Sequence, residues 1–277
     1  MSVFKHIYDF YINASIHVAL AVYALSLITL KQLNIPYDKY LLYFIFFASI
    51  TGYNFVKYFG LAKFHHRSLT NRLKIIQIFS LGCFILMCIY CFKLGRNTLP
   101  IIFLMGLITF FYAAPLLPKK LFLDRKYNLR TIAGLKVYVI AFVWTIVTVI
   151  LPVVNNGYSV DFDVMIISFQ RYLYIVVLIL PFDIRDLGYD SLKLATIPQK
   201  IGIGNTKLLG ILLLIAFFLL EFFKDFLDLG QILATIIITI VTGLFIVFSG
   251  EDRRRSCSAF WVEGLPILWI GLMLLFG

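Results

Sequence analysis

Nine long stretches of the sequence contain almost no charged side chains, and this recurrence limits the possible folds more than any other feature. They lie at residues 11–30, 40–59, 74–92, 98–117, 131–152, 164–182, 205–223, 229–249 and 257–276. Each is long enough to cross about 30 Å of hydrocarbon as a helix, which satisfies its own backbone hydrogen bonds there. The stretches lack the alternating pattern of a membrane β-barrel. The sequence therefore predicts an all-α, polytopic membrane bundle of about nine transmembrane helices.

The overall composition excludes a water-soluble protein. Of the 277 residues, 61% are hydrophobic and 14% are charged, whereas soluble domains are about 45–50% apolar and about 25% charged. A soluble globule of this composition would have too few polar side chains to cover its surface. Because no long polar segment separates the stretches, residues 1–277 are predicted to form a single integral-membrane domain.

The net charge of +11 is distributed unevenly along the chain. Of the 25 lysines and arginines, 18 lie near the N-terminus and in the connections after the even-numbered stretches, and six lie on the opposite side. Positively charged connections stay in the cytoplasm. We therefore expect a cytoplasmic N-terminus, attraction to anionic membrane lipid and no nucleic-acid partner.

Three of the 14 acidic residues crowd into a short segment directly after the sixth stretch: Asp183, Asp186 and Asp190. If the helix continues past the membrane, the three side chains share one face. Carboxylates that crowd together repel one another, and Mg²⁺ bound together with a phosphate ligand removes that repulsion. The alternative interpretation is a solvated helix end with Arg185 nearby.

The residues downstream extend this cluster into a longer pattern, Asp183-x-x-Asp186-x-x-x-Asp190-x5-Thr196-Ile-Pro198-x-x-Ile201-Gly202. The pattern resembles the second aspartate-rich motif of the UbiA superfamily of intramembrane prenyltransferases. The segment Tyr112-Ala-Ala-Pro115-Leu-Leu-Pro-Lys119-Lys120 is similar to the loop that follows the fourth span in that family. The arrangement of nine spans is also similar, so the resemblance covers nearly the whole chain.

The resemblance implies a helical bundle around a cavity that is open to the membrane. It implies that Asp183, Asp186 and Asp190 bind Mg²⁺ and a prenyl diphosphate, with Asp186 and Asp190 in the catalytic role. The isoprenoid chain would move from the diphosphate to a lipophilic acceptor, such as an aromatic ring. The expected partners are therefore membrane lipid, a prenyl diphosphate and that acceptor, in a bacterial inner membrane.

The chain departs from the family after the second stretch, where the family has a first motif of asparagine and aspartates. Asn54 is retained, but Lys57 and Leu61 stand at carboxylate positions, and no acidic residue occurs between Asp38 and Asp124. Two interpretations stay open. Either the Lys57 ammonium contacts the diphosphate in place of a metal, or the protein keeps the fold without the chemistry and binds isoprenoid lipid or protein partners.

The remaining basic residues of the expected site lie in two connections. Arg67-Ser-Leu69 loosely resembles an R-P-L segment of the family, and Arg67 is expected to complete the diphosphate site together with Asn54 and Lys57. Lys119 and Lys120 are expected on the path by which the phosphate approaches.

Charged residues also occur inside the apolar stretches. Lys136 and Glu263 lie in the fifth and ninth stretches, and charges at this depth usually face a cavity and pair with each other. We therefore expect these two side chains to interact. Arg171, near the outer end of the sixth stretch, is expected to extend toward the membrane surface. Buried charges also occur in transporters, but the paired broken helices of such proteins are not evident.

Overall fold

A computed structural model describes residues 3–62, 71–114, 134–188, 195–225, 227–250 and 255–276. Within these ranges the regular structure is entirely helical. The α-helices are α1 (Val3–Asn13), α2 (Ile16–Gln32), α3 (Lys39–Ala62), α4 (Asn71–Cys91), α5 (Leu99–Ala113), α6 (Leu135–Thr145), α7 (Leu151–Asn155), α8 (Phe162–Arg185), α9 (Ile197–Leu219), α10 (Leu229–Val247) and α11 (Arg255–Phe276). A π-helical segment, Ile146–Ile150, joins α6 to α7.

Each of the nine predicted stretches coincides with a helix or, for the fifth, with the continuous unit from α6 to α7. In the described part of the chain, six helical segments are long and apolar enough to cross a membrane, and a seventh is formed if the bent pair α1–α2 counts as one span. The prediction of an all-α polytopic membrane protein is confirmed, whereas the predicted number of nine crossings exceeds these six or seven.

Short sequence signals begin several helices. The Asp161 carboxylate accepts a hydrogen bond from the backbone N–H of Val164 at the start of α8, and Asp228 caps α10 in the same way. Such side-chain caps satisfy N–H groups that have no partner within the helix. At the start of α9 the Gln199 side chain accepts from the backbone N–H of Thr196. Pro198, in the first turn, lacks an N–H group that would otherwise need a partner.

Helix α8 forms the centre of the bundle. In its apolar window 72% of the residues are buried, against 11% for α4. Tyr174 of α8 packs on Phe217 of α9 and on Trp269 of α11, with ring centroids 5.1 Å apart in both cases. The exposed faces of the peripheral helices are apolar and suit contact with lipid tails. The end of α8 that carries Asp183 is called the aspartate end of the bundle below.

The first span is shorter than predicted because the chain bends by 57° between α1 and α2. Ser15 adopts a left-handed backbone conformation with φ 61°, which is uncommon for a residue other than glycine. Its hydroxyl donates to the Asn54 side chain at 2.8 Å, a contact that stabilises this conformation. The apolar run that begins at residue 11 is therefore divided, and the straight helix starts at Ile16.

Arg171 does not extend toward the surface, so that prediction was wrong. The side chain is buried inside the bundle. Its guanidinium donates to the Leu25 carbonyl at 2.6 Å and to the Thr29 hydroxyl at 3.2 Å, and it lies over the Trp269 ring. The π-helical segment brings a third acceptor, the Thr148 hydroxyl, to 3.5 Å. A guanidinium has five donors, and here it connects four helical segments.

Gly210 allows three helices to approach closely. A methyl group at this position of α9 would lie 3.1 Å from Leu180 on α8 and 3.0 Å from Ile246 on α10. These distances are shorter than ordinary van der Waals contacts. The packing of α9 between α8 and α10 therefore requires glycine, which has no side chain, at position 210.

We expect Gly210→Leu to destabilise the bundle by about 1–3 kcal/mol, since an extra side chain in a close-packed core forces its neighbours apart. The melting temperature of the purified protein in detergent measures this effect. Gly271→Leu is the matched control, because Gly271 has open space around its Cα. Equal melting temperatures for the two variants would contradict the close packing described for α9.

Candidate functional site

A cavity of about 800 Å³ lies between α3, α4, α5 and the unit from α6 to α7. Its volume is within the range of ligand-binding pockets, about 300–1,000 Å³. In the described part of the chain its lining is mostly apolar and contains two charged side chains, Lys57 and Lys136. Lys57 lies near the end of α3 and Lys136 near the start of α6, so both lie at the aspartate end.

Aromatic rings cover much of the cavity wall. They include Tyr53, Phe55, Phe84, Phe110, Tyr112 and Trp144. Tyr53 meets Trp144 edge to face with centroids 6.0 Å apart, and Phe55 stacks on Phe110 at 5.9 Å. Ring faces attract cations and exclude water. The walls therefore suit an apolar chain or a carbocation rather than a hydrated ligand.

Lys57 is held by a short polar network at the aspartate end. Its ammonium donates to the Ser15 hydroxyl at 2.9 Å, and Ser15 in turn donates to Asn54. The Asn54 amide group donates to the Ala14 carbonyl at 3.1 Å and to the Ser80 hydroxyl at 2.7 Å. Asn54 is buried and uses its polar atoms within the protein, whereas Lys57 is exposed to the cavity.

Lys136 forms an ion pair with Asp183. The Lys136 ammonium lies 2.9 Å from Asp183 Oδ1. Lys136 was predicted to pair with Glu263, and that prediction was wrong: Lys136 pairs with Asp183, and the charges that act on Glu263 are those of Lys57 and Arg185. The Asp183 side chain is fully buried, whereas the Lys136 side chain keeps 26% of its surface exposed. Of this pair, the lysine is the partner that faces the cavity.

Helix α8 ends at Arg185, two residues beyond Asp183, and Asp186 begins a turn, so Asp183 and Asp186 do not lie on one face of a continuing helix. Arg185 binds the Asp186 carboxylate with two parallel hydrogen bonds of 2.9 Å. The structure thus places Asp183 inside the last turn of α8 and Asp186 directly after it.

The other predicted site residues lie outside the described residues: Arg67, Lys119, Lys120 and Asp190. Their assignments, and those of Asn54, Lys57, Asp183 and Asp186 as ligands of diphosphate or metal, stay predictions.

Two contacts of this site were not predicted from the sequence. Ser15 joins Lys57 to Asn54, although a serine inside an apolar stretch carries no signal of such a role. The Lys136–Asp183 pair joins residues 47 positions apart. Both residues are rare charges in an apolar chain, which is a signal for such a pair. Asp183 was instead predicted to belong to the aspartate cluster.

Mg²⁺ is the ion that the resemblance implies, and its site needs several oxygen ligands close together. Magnesium binds carboxylate oxygens in octahedral geometry. In the described part of the chain no group of three or more His, Cys, Asp or Glu side chains has the arrangement of a metal site. Asp183 and Asp186 each bind a cation of the protein itself, and α3 supplies no carboxylate. The described residues do not fit a magnesium ion.

A solved structure confirms the predicted UbiA-like fold. The chain is similar to a digeranylgeranylglyceryl phosphate synthase, with a TM-score of 0.56 and 17% sequence identity, over 97% of this chain and 95% of that one. That synthase is an intramembrane prenyltransferase of the UbiA superfamily. The low identity limits the similarity to the fold. No protein-family model and no curated protein matches the sequence.

We expect Lys136→Met to destabilise the protein by about 3 kcal/mol, because it leaves the buried Asp183 carboxylate without its cation. The double variant Lys136→Met/Asp183→Asn should regain most of this loss, and melting temperatures of all three variants in detergent measure the coupling. Lys93→Met serves as the control, since the Lys93 side chain is exposed. A Lys136→Met protein as stable as the parent would show that the pair contributes little.

Proposed function

We propose that this protein transfers an isoprenoid chain from a prenyl diphosphate to a lipophilic, aromatic acceptor. The observation that carries the proposal is the cavity, whose walls are apolar and aromatic and whose charged side chains lie at one end. An amphiphile with a long apolar tail and an anionic head matches this distribution. The UbiA-like fold, which a membrane prenyltransferase also has, supports the same conclusion.

The depth of the cavity suits a long chain. Its lining runs along α3 from Phe44 to Lys57, a distance of about 20 Å at 1.5 Å per residue. An extended chain advances about 1.2 Å per bond, so an isoprene unit with four bonds in line covers about 5 Å. A donor of about four isoprene units therefore fills the cavity when its diphosphate lies beside Lys57.

The reaction breaks the bond between the first carbon of the chain and the diphosphate oxygen. The diphosphate leaves with the electron pair, the allylic carbon forms a bond to the acceptor ring, and the ring loses a proton. Positive charge beside the leaving group lowers the barrier, and Lys57 supplies such a charge. The aromatic walls stabilise the allylic cation and keep water from capturing it.

We place the aspartate end at the cytoplasmic face of a bacterial inner membrane. The basis is the excess of lysine and arginine in the connections at this end. Soluble diphosphates would then reach Lys57 directly, with Lys119 and Lys120 on their path and Arg67 completing the diphosphate site. A topology reporter fused after Ala62 tests this orientation.

One observation favours a second function, the binding of isoprenoid lipid or protein partners without catalysis. Asn54 uses its side chain for bonds within the protein, and α3 has no carboxylate at the first-motif positions. A relative that has lost the chemistry would keep the cavity and its aromatic walls. The two functions differ in whether the positive charge of Lys57 matters for turnover.

Filling the cavity with a large side chain tests whether the isoprenoid chain binds there. Gly106 lines the cavity, and a methyl group at its Cα would meet no atom within 4 Å. We expect Gly106→Trp to fill this space and to reduce transfer by about tenfold or more, because the chain loses its place in the pocket. Product formation from a prenyl diphosphate and an aromatic quinone precursor in proteoliposomes provides the measurement.

Gly82→Trp is the control for this experiment, since Gly82 also has open space around it but does not belong to the cavity lining. If both tryptophan variants retain full transfer activity, the isoprenoid chain does not occupy this cavity.

Lys57→Met separates the two functions. In the enzyme we expect at least a hundredfold loss of product, the effect of removing the positive charge beside the leaving diphosphate, with unchanged binding of a long-chain isoprenoid alcohol. In the non-catalytic relative the parent protein already releases no diphosphate. Diphosphate release from the parent and the variant, measured beside an active prenyltransferase, decides between them.

A further inference from the structure

We propose that Lys57 and Lys136 together bind the substrate diphosphate without a divalent cation. This inference rests on the function proposed above and adds to it a second lysine and independence from Mg²⁺. Both lysines line the same cavity, Lys57 near the end of α3 and Lys136 near the start of α6, so both lie at its aspartate end. A linear anion with two phosphate groups presents oxygens to both ammonium groups at once.

The exposure of the Lys136–Asp183 pair decides which member a ligand meets. The lysine side chain is 26% exposed, and the aspartate side chain has no exposed surface. A ligand in the cavity therefore contacts the ammonium, while the carboxylate lies behind it. Asp183 thus acts on a ligand only through Lys136: it attracts the ammonium from behind and reduces the pull of this charge on an anion in the cavity.

Helix α3, which forms another wall of the cavity, also presents a lysine rather than a carboxylate. Helix α3 has no acidic residue, and the nearest acidic residues along the sequence are Asp38 and Asp124. Lys57 occupies this wall, and the acidic residue that acts on its charge is Glu263 of α11. Among the described residues its ammonium has one hydrogen-bond acceptor, the uncharged Ser15 hydroxyl. An ammonium has three donors, so the group can bind phosphate oxygens without leaving Ser15.

Two ammonium groups can take over the task of a metal ion in this environment. Attraction between opposite charges is stronger in an apolar cavity than in water, and hydrogen bonds from ammonium to phosphate are charge-assisted. They stabilise both the bound diphosphate and the charge that develops on it when the carbon–oxygen bond breaks. The electron pair leaves with the diphosphate as before, and no further reactant is needed.

Binding of farnesyl thiolodiphosphate, which resists cleavage, tests the inference with the full chain in lipid nanodiscs. Titration calorimetry is carried out with excess chelator and again with Mg²⁺. We expect the same affinity in both buffers. Lys57→Met and Lys136→Met should each weaken binding by about tenfold or more, the loss of one charge-assisted contact. Lys57→Arg, which keeps the charge, should bind more tightly than Lys57→Met.

Asp183→Asn gives an effect whose sign distinguishes the two kinds of site. If Asp183 only neutralises Lys136, the variant leaves more positive charge in the cavity and binds the analogue more tightly. If Asp183 is a metal ligand, the variant loses Mg²⁺-dependent binding. Size-exclusion profiles confirm folding, and Lys57→Met tests the inference even if Lys136→Met does not fold.

Each outcome has one meaning. Binding with chelator that weakens in Lys57→Met and strengthens in Asp183→Asn supports the inference. Binding that requires Mg²⁺, or that is unchanged in Lys57→Met, overturns it and leaves the proposed transfer reaction intact. Absence of binding in both buffers overturns the inference and contradicts the proposed function as well.

Discussion

The ion pair between Lys136 and Asp183 connects the stability of this bundle to its cavity. A carboxylate without any exposed surface has a high desolvation cost unless a cation lies beside it, and here the cation comes from α6 at 2.9 Å. Because Asp183 belongs to α8, which lies at the centre of the bundle, the pair attaches the cavity wall to the core. The same contact places an ammonium at the polar end of an otherwise apolar cavity.

Most of the fold could be predicted from the sequence, because a long apolar segment has few stable backbone structures in lipid. A helix is the structure that satisfies its backbone without help from neighbours, and all nine apolar stretches coincide with helical segments. The bend at Ser15 could not be predicted, since it depends on a hydrogen bond to Asn54 on another helix. Local propensity contains no information about such a contact.

The candidate site was predicted less completely than the fold. The aspartate cluster identified the correct end of the bundle, because rare charges in an apolar chain mark polar surroundings. The pairing of those charges was not predictable, as the errors at Lys136 and Arg171 illustrate. Arg171 is buried close to the Leu25 carbonyl and the Thr29 hydroxyl, and this proximity follows from how α2 packs against α8. The number of residues between Arg171 and these acceptors in the sequence gives no measure of their distance in the structure.

The π-helical segment Ile146–Ile150 has a mechanical consequence for the cavity. One side of this wall carries Trp144, Val147 and Leu151 in the lining, and the other presents Thr148 to Arg171. A π-turn holds one more residue than an α-turn, so when it moves along a helix by one position the residue it passes rotates by about 100° about the axis. Such a shift exchanges side chains between the lining and the core while the helix ends remain in place. The position of the π-turn therefore determines which side chains line the cavity and which face the core, independently of how the helices are arranged.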